Sequence, residues 1–326
     1  MISIYVDDLL IVGPNMNDIN ALKQTLHSEF EMTDLGEAHW ILGIEIQRNK
    51  DCEILINQKL YANTILKRFQ MEDCNPVQTP LDTSVVLIKS QDDEEIDEYQ
   101  TMVYQQIIGS VMYLMLGTRP DLAYSITMLS QFNAKPNSSH LQAAKRLLRY
   151  IQRTKCLGLY YPSNKNTKII GFVDSSYASS IYDRKSFCGY IFQYGSATIS
   201  WTSSKQQTVA LSTTEAEYMA LTLAAKQALW IKTFLNELQR PKEIKIFGDN
   251  QAAIFLAKNA GLHKRSKHID IQYHFIREKL QNKEFQLEFC TSSENLADIV
   301  TKGLARITTS KIIRKLNIKD VSEGDY

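Results

Sequence analysis

Between residues 168 and 304 the hydrophobic pattern imposes a fixed order of elements, and that order limits the fold more than any other feature of the chain. Residues 168–174, 186–194 and 197–203 are rich in Ile, Val, Phe and Tyr and are joined by short or glycine-containing turns, which predicts three strands. A long helical pattern runs from about 212 to 238. A strand (244–248), a helix (250–258), a helix (268–281), a strand (285–290) and a last helix (294–304) follow. An antiparallel meander, a helix, and then alternating strands and helices predict an α/β fold with a mixed sheet.

Four acids sit at similar places in this layout. Asp174 ends the first strand, Glu217 lies in the first turns of the long helix, Asp249 directly follows the fourth strand, and Asp298 lies early in the last helix. One acid at a strand end reads as a cap or a solvated loop residue; four in this order argue against that reading. Clustered carboxylates raise one another's pKa, and burial adds to the cost. Divalent cations compensate it, and all-oxygen donors suit Mg²⁺ or Mn²⁺. Two such ions about 4 Å apart activate a water and stabilise the leaving oxygen of a phosphodiester.

The first half is patterned differently. Residues 3–12 are apolar around Asp7 and Asp8 and end at Gly13-Pro14-Asn15, which predicts a hairpin tip carrying two acids. Helical spacing follows at 18–30, short strands at 40–47 and 53–57, and an amphipathic helix at 58–69. The acidic run 92–98 reads as a solvated linker. Residues 100–155 look helical, broken at Thr118-Arg119-Pro120-Asp121. The helix over 138–155 carries Lys145, Arg146, Arg149, Arg153 and Lys155 on one face, open to a phosphate backbone or to water. Beyond Leu304 the tail reads as a short, solvated basic helix.

Charge follows the same division. Residues 1–110 carry 7 Lys+Arg against 19 Asp+Glu, and residues 111–326 carry 30 against 17, so a net charge of +1 conceals a basic C-terminal two-thirds compatible with a polyanion. No apolar run is long enough for a membrane span, and the N-terminus lacks the basic region of a secretion signal. Five scattered cysteines form no CxxC pair, so neither a disulfide framework nor a zinc site is indicated.

Residues 168–304 resemble the type-1 RNase H domain of copia-type LTR retrotransposons. The resemblance rests on Gly171–Ala178, Ser186–Tyr190, Ile199–Gln206, Ser212–Ala220, Asp249-Asn250-Gln251, Lys267–Ile271, Tyr273–Arg277 and Asn295–Lys302. Upstream, Tyr5-Val6-Asp7-Asp8 looks like the catalytic hairpin of a copia-type reverse transcriptase, and Leu35-Gly36, Leu42-Gly43-Ile44, Gln58–Tyr61 and Thr118–Asp121 resemble segments that follow it.

The resemblance implies a division into a truncated reverse-transcriptase palm/thumb remnant (1–82), an acidic linker and helical connection (83–162), an RNase H domain with a mixed five-stranded sheet and flanking helices (163–305), and a basic tail (306–326). It implies that Asp174, Glu217, Asp249 and Asp298 hold two Mg²⁺ ions, Mn²⁺ substituting, and cut the RNA strand of an RNA–DNA hybrid. The pattern selects Glu217 over Glu215; residues two apart on a helix point in different directions. Ser175, Ser176, Lys205, Gln206, Asn250, Gln251, Lys267 and His268 are candidate substrate contacts. Asp7 and Asp8 are the remnant of a polymerase metal site whose third Asp is missing, so no polymerase activity is expected from this chain alone, and residues 1–80 are expected to pack poorly without the missing palm. Cytoplasmic or virus-like-particle localisation is the expectation. The loop 290–294 lacks the His that many RNases H carry there, so slow turnover is expected unless another residue substitutes. The alternative is a non-catalytic remnant that at most binds nucleic acid.

Overall fold

The computed structural model describes residues 1–89, 96–163, 167–259 and 270–321. Lys267 and His268, with most of the acidic run, lie outside the described residues.

At the N-terminus, β1 (Ile2–Tyr5) and β2 (Asp8–Ile11) form a hairpin pairing Tyr5 with Asp8 across a tight turn at Val6 and Asp7. Helix α1 (Met16–Glu29) buries no residue, and Ile4, Tyr5 and Val6 are exposed, so this segment has the unpacked apolar surface the sequence predicted. The expectation fails further on. Strands β3 (Trp40–Ile41), β4 (Ile44–Arg48) and β5 (Ile54–Asn57) lead into α2 (Lys59–Arg68), whose Ala62, Ile65 and Leu66 are buried in the main core. That core is completed by α3 (Glu98–Gly117), a 3-10 turn (Pro120–Leu122), α4 (Ala123–Ser130) and α5 (Ser138–Thr154).

Part of the basic side of α5 is taken up within the chain, while Lys145 and Arg153 are exposed. Arg149 Nε donates to the Asn75 carbonyl (2.6 Å), Arg146 Nη2 donates to Thr79 Oγ1 (3.1 Å), and Arg146 pairs with Asp82 (3.4 Å). The helix therefore clamps the loop that follows α2, satisfying the Asn75 carbonyl in that irregular segment.

After α5, strand β6 (Leu157–Tyr161) pairs with β5. A five-stranded sheet and its helices follow: β7 (Ile169–Ser176), β8 (Phe187–Tyr194), β9 (Ala197–Lys205), α6 (Thr213–Glu237), β10 (Ile244–Gly248), α7 (Gln251–Lys258), α8 (Asp270–Gln281) and β11 (Gln286–Phe289). Its order is β11-β10-β7-β8-β9, with β7/β8/β9 antiparallel and β10 parallel to both β7 and β11, the mixed sheet the element order predicted. One face packs on α6 and α8. The other meets the helical connection: Trp201 Nε1 donates to the Met115 carbonyl (3.1 Å) and Thr127 Oγ1 to the Ser203 carbonyl (3.1 Å).

Two sequence expectations need correction here. The last helix of this region is not 294–304 but a single turn, α9 (Asp298–Thr301). Asn295 is the reason: its side chain accepts from Ala297 N–H (3.1 Å) and donates to the Val173 carbonyl (2.9 Å), a local bonding pattern that competes with helix and ties the turn to β7. Nor is the tail a solvated helix. Helix α10 (Arg306–Lys315) buries Ile312, Leu316 is fully buried, and β12 (Ile318–Asp320) pairs with β6. The second sheet, β12-β6-β5-β4-β3, thus joins segments from three of the units the sequence kept separate. No helix among the described residues is long and apolar enough to cross a membrane.

Candidate metal centre

Strand register brings the acids together. Strand β10 runs parallel to β7 with Gly248 opposite Val173, so the residues that follow each, Asp249 and Asp174, emerge side by side at the carboxyl ends of two parallel strands. Val173 belongs to the core beneath α6 and Phe172 packs against the opposite one, so strand alternation turns Asp174 toward α9.

Helix α9 supplies Asp298, and it lies close to the sheet because residue 189, opposite Asp174 in the register, is glycine. A Cβ on Gly189 would stand 2.4 Å from the Thr202 carbonyl oxygen and 2.7 Å from Val300 Cγ2. Ligand oxygens of Asp174, Asp249 and Asp298 lie within 4.8 Å of one another. Asp174 is buried; Asp249 and Asp298 are partly so.

From the other face α6 contributes Glu217, whose Oε1 accepts the Ser175 N–H (3.2 Å). Glu215 points elsewhere: its Oε2 accepts Leu211 N–H (3.1 Å) while Ser212 Oγ accepts Glu215 N–H (3.2 Å), a reciprocal cap at the helix start.

The electrostatics follow from burial. Burial, then Asp174 and Asp249, push Glu217 up to about 9. Burial, then Asp174, push Asp298 up to about 6. Burial raises Asp174 as well, against the opposing pull of Lys302 and Thr301. Lys302 Nζ lies 2.7 Å from Asp298 Oδ1 and 3.7 Å from Asp174 Oδ2, and Thr301 Oγ1 donates to Asp174 Oδ2. Burial works against the charge of Lys302, but Asp174 and Asp298 hold its ammonium above the ordinary lysine range. A hard divalent cation fits this donor set: several carboxylate oxygens converge, and their charge is poorly tolerated without one.

The other candidates fall in different places. Ser175 is buried and donates to the Phe187 carbonyl (3.2 Å); Gln206 is buried and donates to the Ala216 carbonyl (2.8 Å), bracing α6 against the sheet. Both therefore serve the scaffold through these bonds. Lys205 bonds Gln131 (2.8 Å) and pairs with Asp183 (3.0 Å). Asn250 caps α7 by accepting Ala253 N–H (2.9 Å), Gln251 is exposed beside it, and Ser176 closes β7, half-buried. Asp7 and Asp8 are exposed at the hairpin and, among the described residues, join no group of three metal-ligating side chains. Sequence reasoning missed Asn295, Thr301 and Lys302. Thr301 and Lys302 stand three and four residues after Asp298, the spacing at which helical side chains meet, and that signal was available.

The family model described as reverse transcriptase (RNA-dependent DNA polymerase) matches residues 1–83. The chain is 40% identical over 312 residues to the retrovirus-related Pol polyprotein of transposon TNT 1-94 from Nicotiana tabacum, covering 93% of this chain and 23% of that one. It therefore spans less than a quarter of that polyprotein's length. A transposon Ty5-1 protein of Saccharomyces cerevisiae is 30% identical over 220 residues, 67% of this chain and 70% of that one. Among solved structures, LC11-RNase H1, isolated from compost, superimposes with a TM-score of 0.34 at 16% identity, covering 45% of this chain and 99% of that one. Sequence kinship of this extent shows that the chain belongs to the retrovirus-related Pol polyprotein family of copia-type transposons.

Proposed function

We propose that the chain is a divalent-metal-dependent endoribonuclease that cuts the RNA strand of RNA–DNA hybrids at Asp174, Glu217, Asp249 and Asp298. The observation that carries this reading is the convergence of three carboxylates, within 4.8 Å of one another, at the carboxyl ends of β7 and β10. Bound Mg²⁺ or Mn²⁺ would supply activation of the attacking water and stabilisation of the leaving oxygen. Asp174, Asp249 and Asp298 would hold the cations. Glu217 is kept in orientation by the Ser175 N–H, and Thr301 fixes one oxygen of Asp174. Bracing by Gln206 and the Asn295 anchor keep α6 and α9 at their distance from β7. Recognition of the hybrid rests on groove shape, phosphates and 2′-hydroxyls rather than base sequence.

The test is cleavage of a hybrid labelled on either strand, with the full chain and its Asp249→Asn variant. Metal-dependent cutting of the RNA strand alone, lost in the variant, is expected. A folded wild type that binds the hybrid in a salt-sensitive way yet cuts neither strand would refute the reading and leave a non-catalytic nucleic-acid binder.

A further inference from the structure

Nothing in the proposed reaction uses Lys302, yet its ammonium lies inside the carboxylate cluster. It follows α9 directly, in extended backbone, and reaches back to Asp298 and Asp174 at 2.7 and 3.7 Å. An i,i+4 pair on a helix surface contributes little. This pair is different in environment: the side chains of Asp174 and Asp298 are 3% and 13% exposed, whereas that of Lys302 is 38% exposed. The carboxylates are fixed, with Asp174 held by Thr301 and by strand pairing, and the cation is on a flexible four-carbon stem with a path to water. Among the described residues Lys302 is the cation in ion-pair contact with Asp174 and Asp298.

We propose that Lys302 is a displaceable internal counter-cation, which neutralises the Asp174–Asp298 edge of the cluster in the metal-free protein and competes with a divalent ion for it. The inference rests on the metal-binding reading above and adds an exchange step: the ammonium leaves as the divalent ion enters. Lys302 then sets the metal affinity below what the carboxylates alone would give, and it stabilises the protein before metal arrives. It is a positioning residue; no contact with a reacting atom is assigned to it.

The experiment titrates MnCl₂ into the full chain by calorimetry for the wild type, Lys302→Met and Asp174→Asn, and melts each in EDTA and in saturating Mn²⁺. Methionine keeps most of the stem and removes the charge. Lys302→Met is expected to bind Mn²⁺ about tenfold tighter than wild type, a change of about 1.4 kcal/mol. It should melt below wild type in EDTA, with the gap closing in Mn²⁺. Lys302→Gln replaces it should the methionine variant not fold. Equal or weaker Mn²⁺ binding by the Lys302 variant, with binding abolished in Asp174→Asn, would overturn the competition and leave the metal site standing. Absence of Mn²⁺ binding in wild type and variant alike would overturn both.

Discussion

Replacing Asp121 with alanine is expected to be among the most damaging single changes in the chain, although it lies outside the metal centre. Arg119 and Asp121 form an ion pair whose side chains are 1% and 0% exposed. Arg119 Nε and Nη2 donate to the two oxygens of Asp121 at 2.9 and 2.7 Å. The same guanidinium donates to the carbonyl and hydroxyl of Thr154 at the end of α5, and Tyr150 Oη donates to Asp121 Oδ2 (2.7 Å). Asp121→Ala leaves a buried guanidinium with half its partners and a buried phenol with no acceptor there. Breaking a buried pair by removing one partner costs about 3–5 kcal/mol. The Tyr150 bond belongs to the same network, so its loss is not added separately, and about 4 kcal/mol is the expectation. At roughly 2.1 cal/mol/K of unfolding entropy per residue over a chain of this length, that lowers Tm by about 6 °C. Thermal melting measures the Tm shift, and urea unfolding followed by circular dichroism and by tryptophan fluorescence measures the free energy; of the three tryptophans, Trp201 bonds to Met115 at the end of the neighbouring α3. The double variant Arg119→Met/Asp121→Leu should recover most of the loss, because no charge is then left buried. A cost below about 1 kcal/mol for Asp121→Ala, or a double variant no better than the single, would refute the assignment of this network as a mutually dependent buried unit.

Three further outcomes are expected. Glu217, at about 9 in the folded chain against an ordinary 4.5, favours the protonated folded state, so its contribution to stability is complete below pH 4.5 and disappears as pH rises through 9; Asp298, at about 6, adds a smaller loss over pH 4–6. Melting in EDTA should therefore fall from pH 5 to pH 9 and flatten in saturating Mg²⁺, and a metal-free profile that rises over this range would contradict the shifts. Gly189→Ala drives a methyl into the Thr202 carbonyl and Val300, at a cost of about 1–3 kcal/mol, and should weaken Mn²⁺ binding by lifting α9; unchanged affinity in calorimetry would show that the close approach is unnecessary. Ile318→Ala, in the strand that closes the second sheet, should cost about 2–4 kcal/mol in urea unfolding, whereas a freely solvated tail would show almost none.

Much of this architecture could be read from local pattern. Period-2 apolar runs marked β7, β8, β9 and β10 to within two residues, and the acids at their ends stood out because strand ends and helix starts are themselves legible. The helix 294–304 misled because its apolar spacing is helical, while the Asn295 side chain accepts from Ala297 N–H and donates to the Val173 carbonyl on β7, a partner more than a hundred residues away. The α5 stripe shows the same limit: five cations on one face announce an anionic or polar partner, but not that the Asn75 carbonyl and the Thr79 hydroxyl of the chain's own loop take up two of them.

The sequence by itself determined the order of strands and helices, the family, and the four acids worth examining, since hydrophobic period and residue chemistry are properties of neighbouring positions. Only the tertiary structure decided which acids meet, because that depends on the Gly248–Val173 register, on the bare backbone at Gly189, and on whether Glu215 or Glu217 is taken up by the helix cap. It also decided that Lys302 enters the cluster and that the tail closes a sheet begun at residue 40. These are non-local contacts, selected by packing and charge compensation among segments far apart in the chain, and no window of sequence contains both partners.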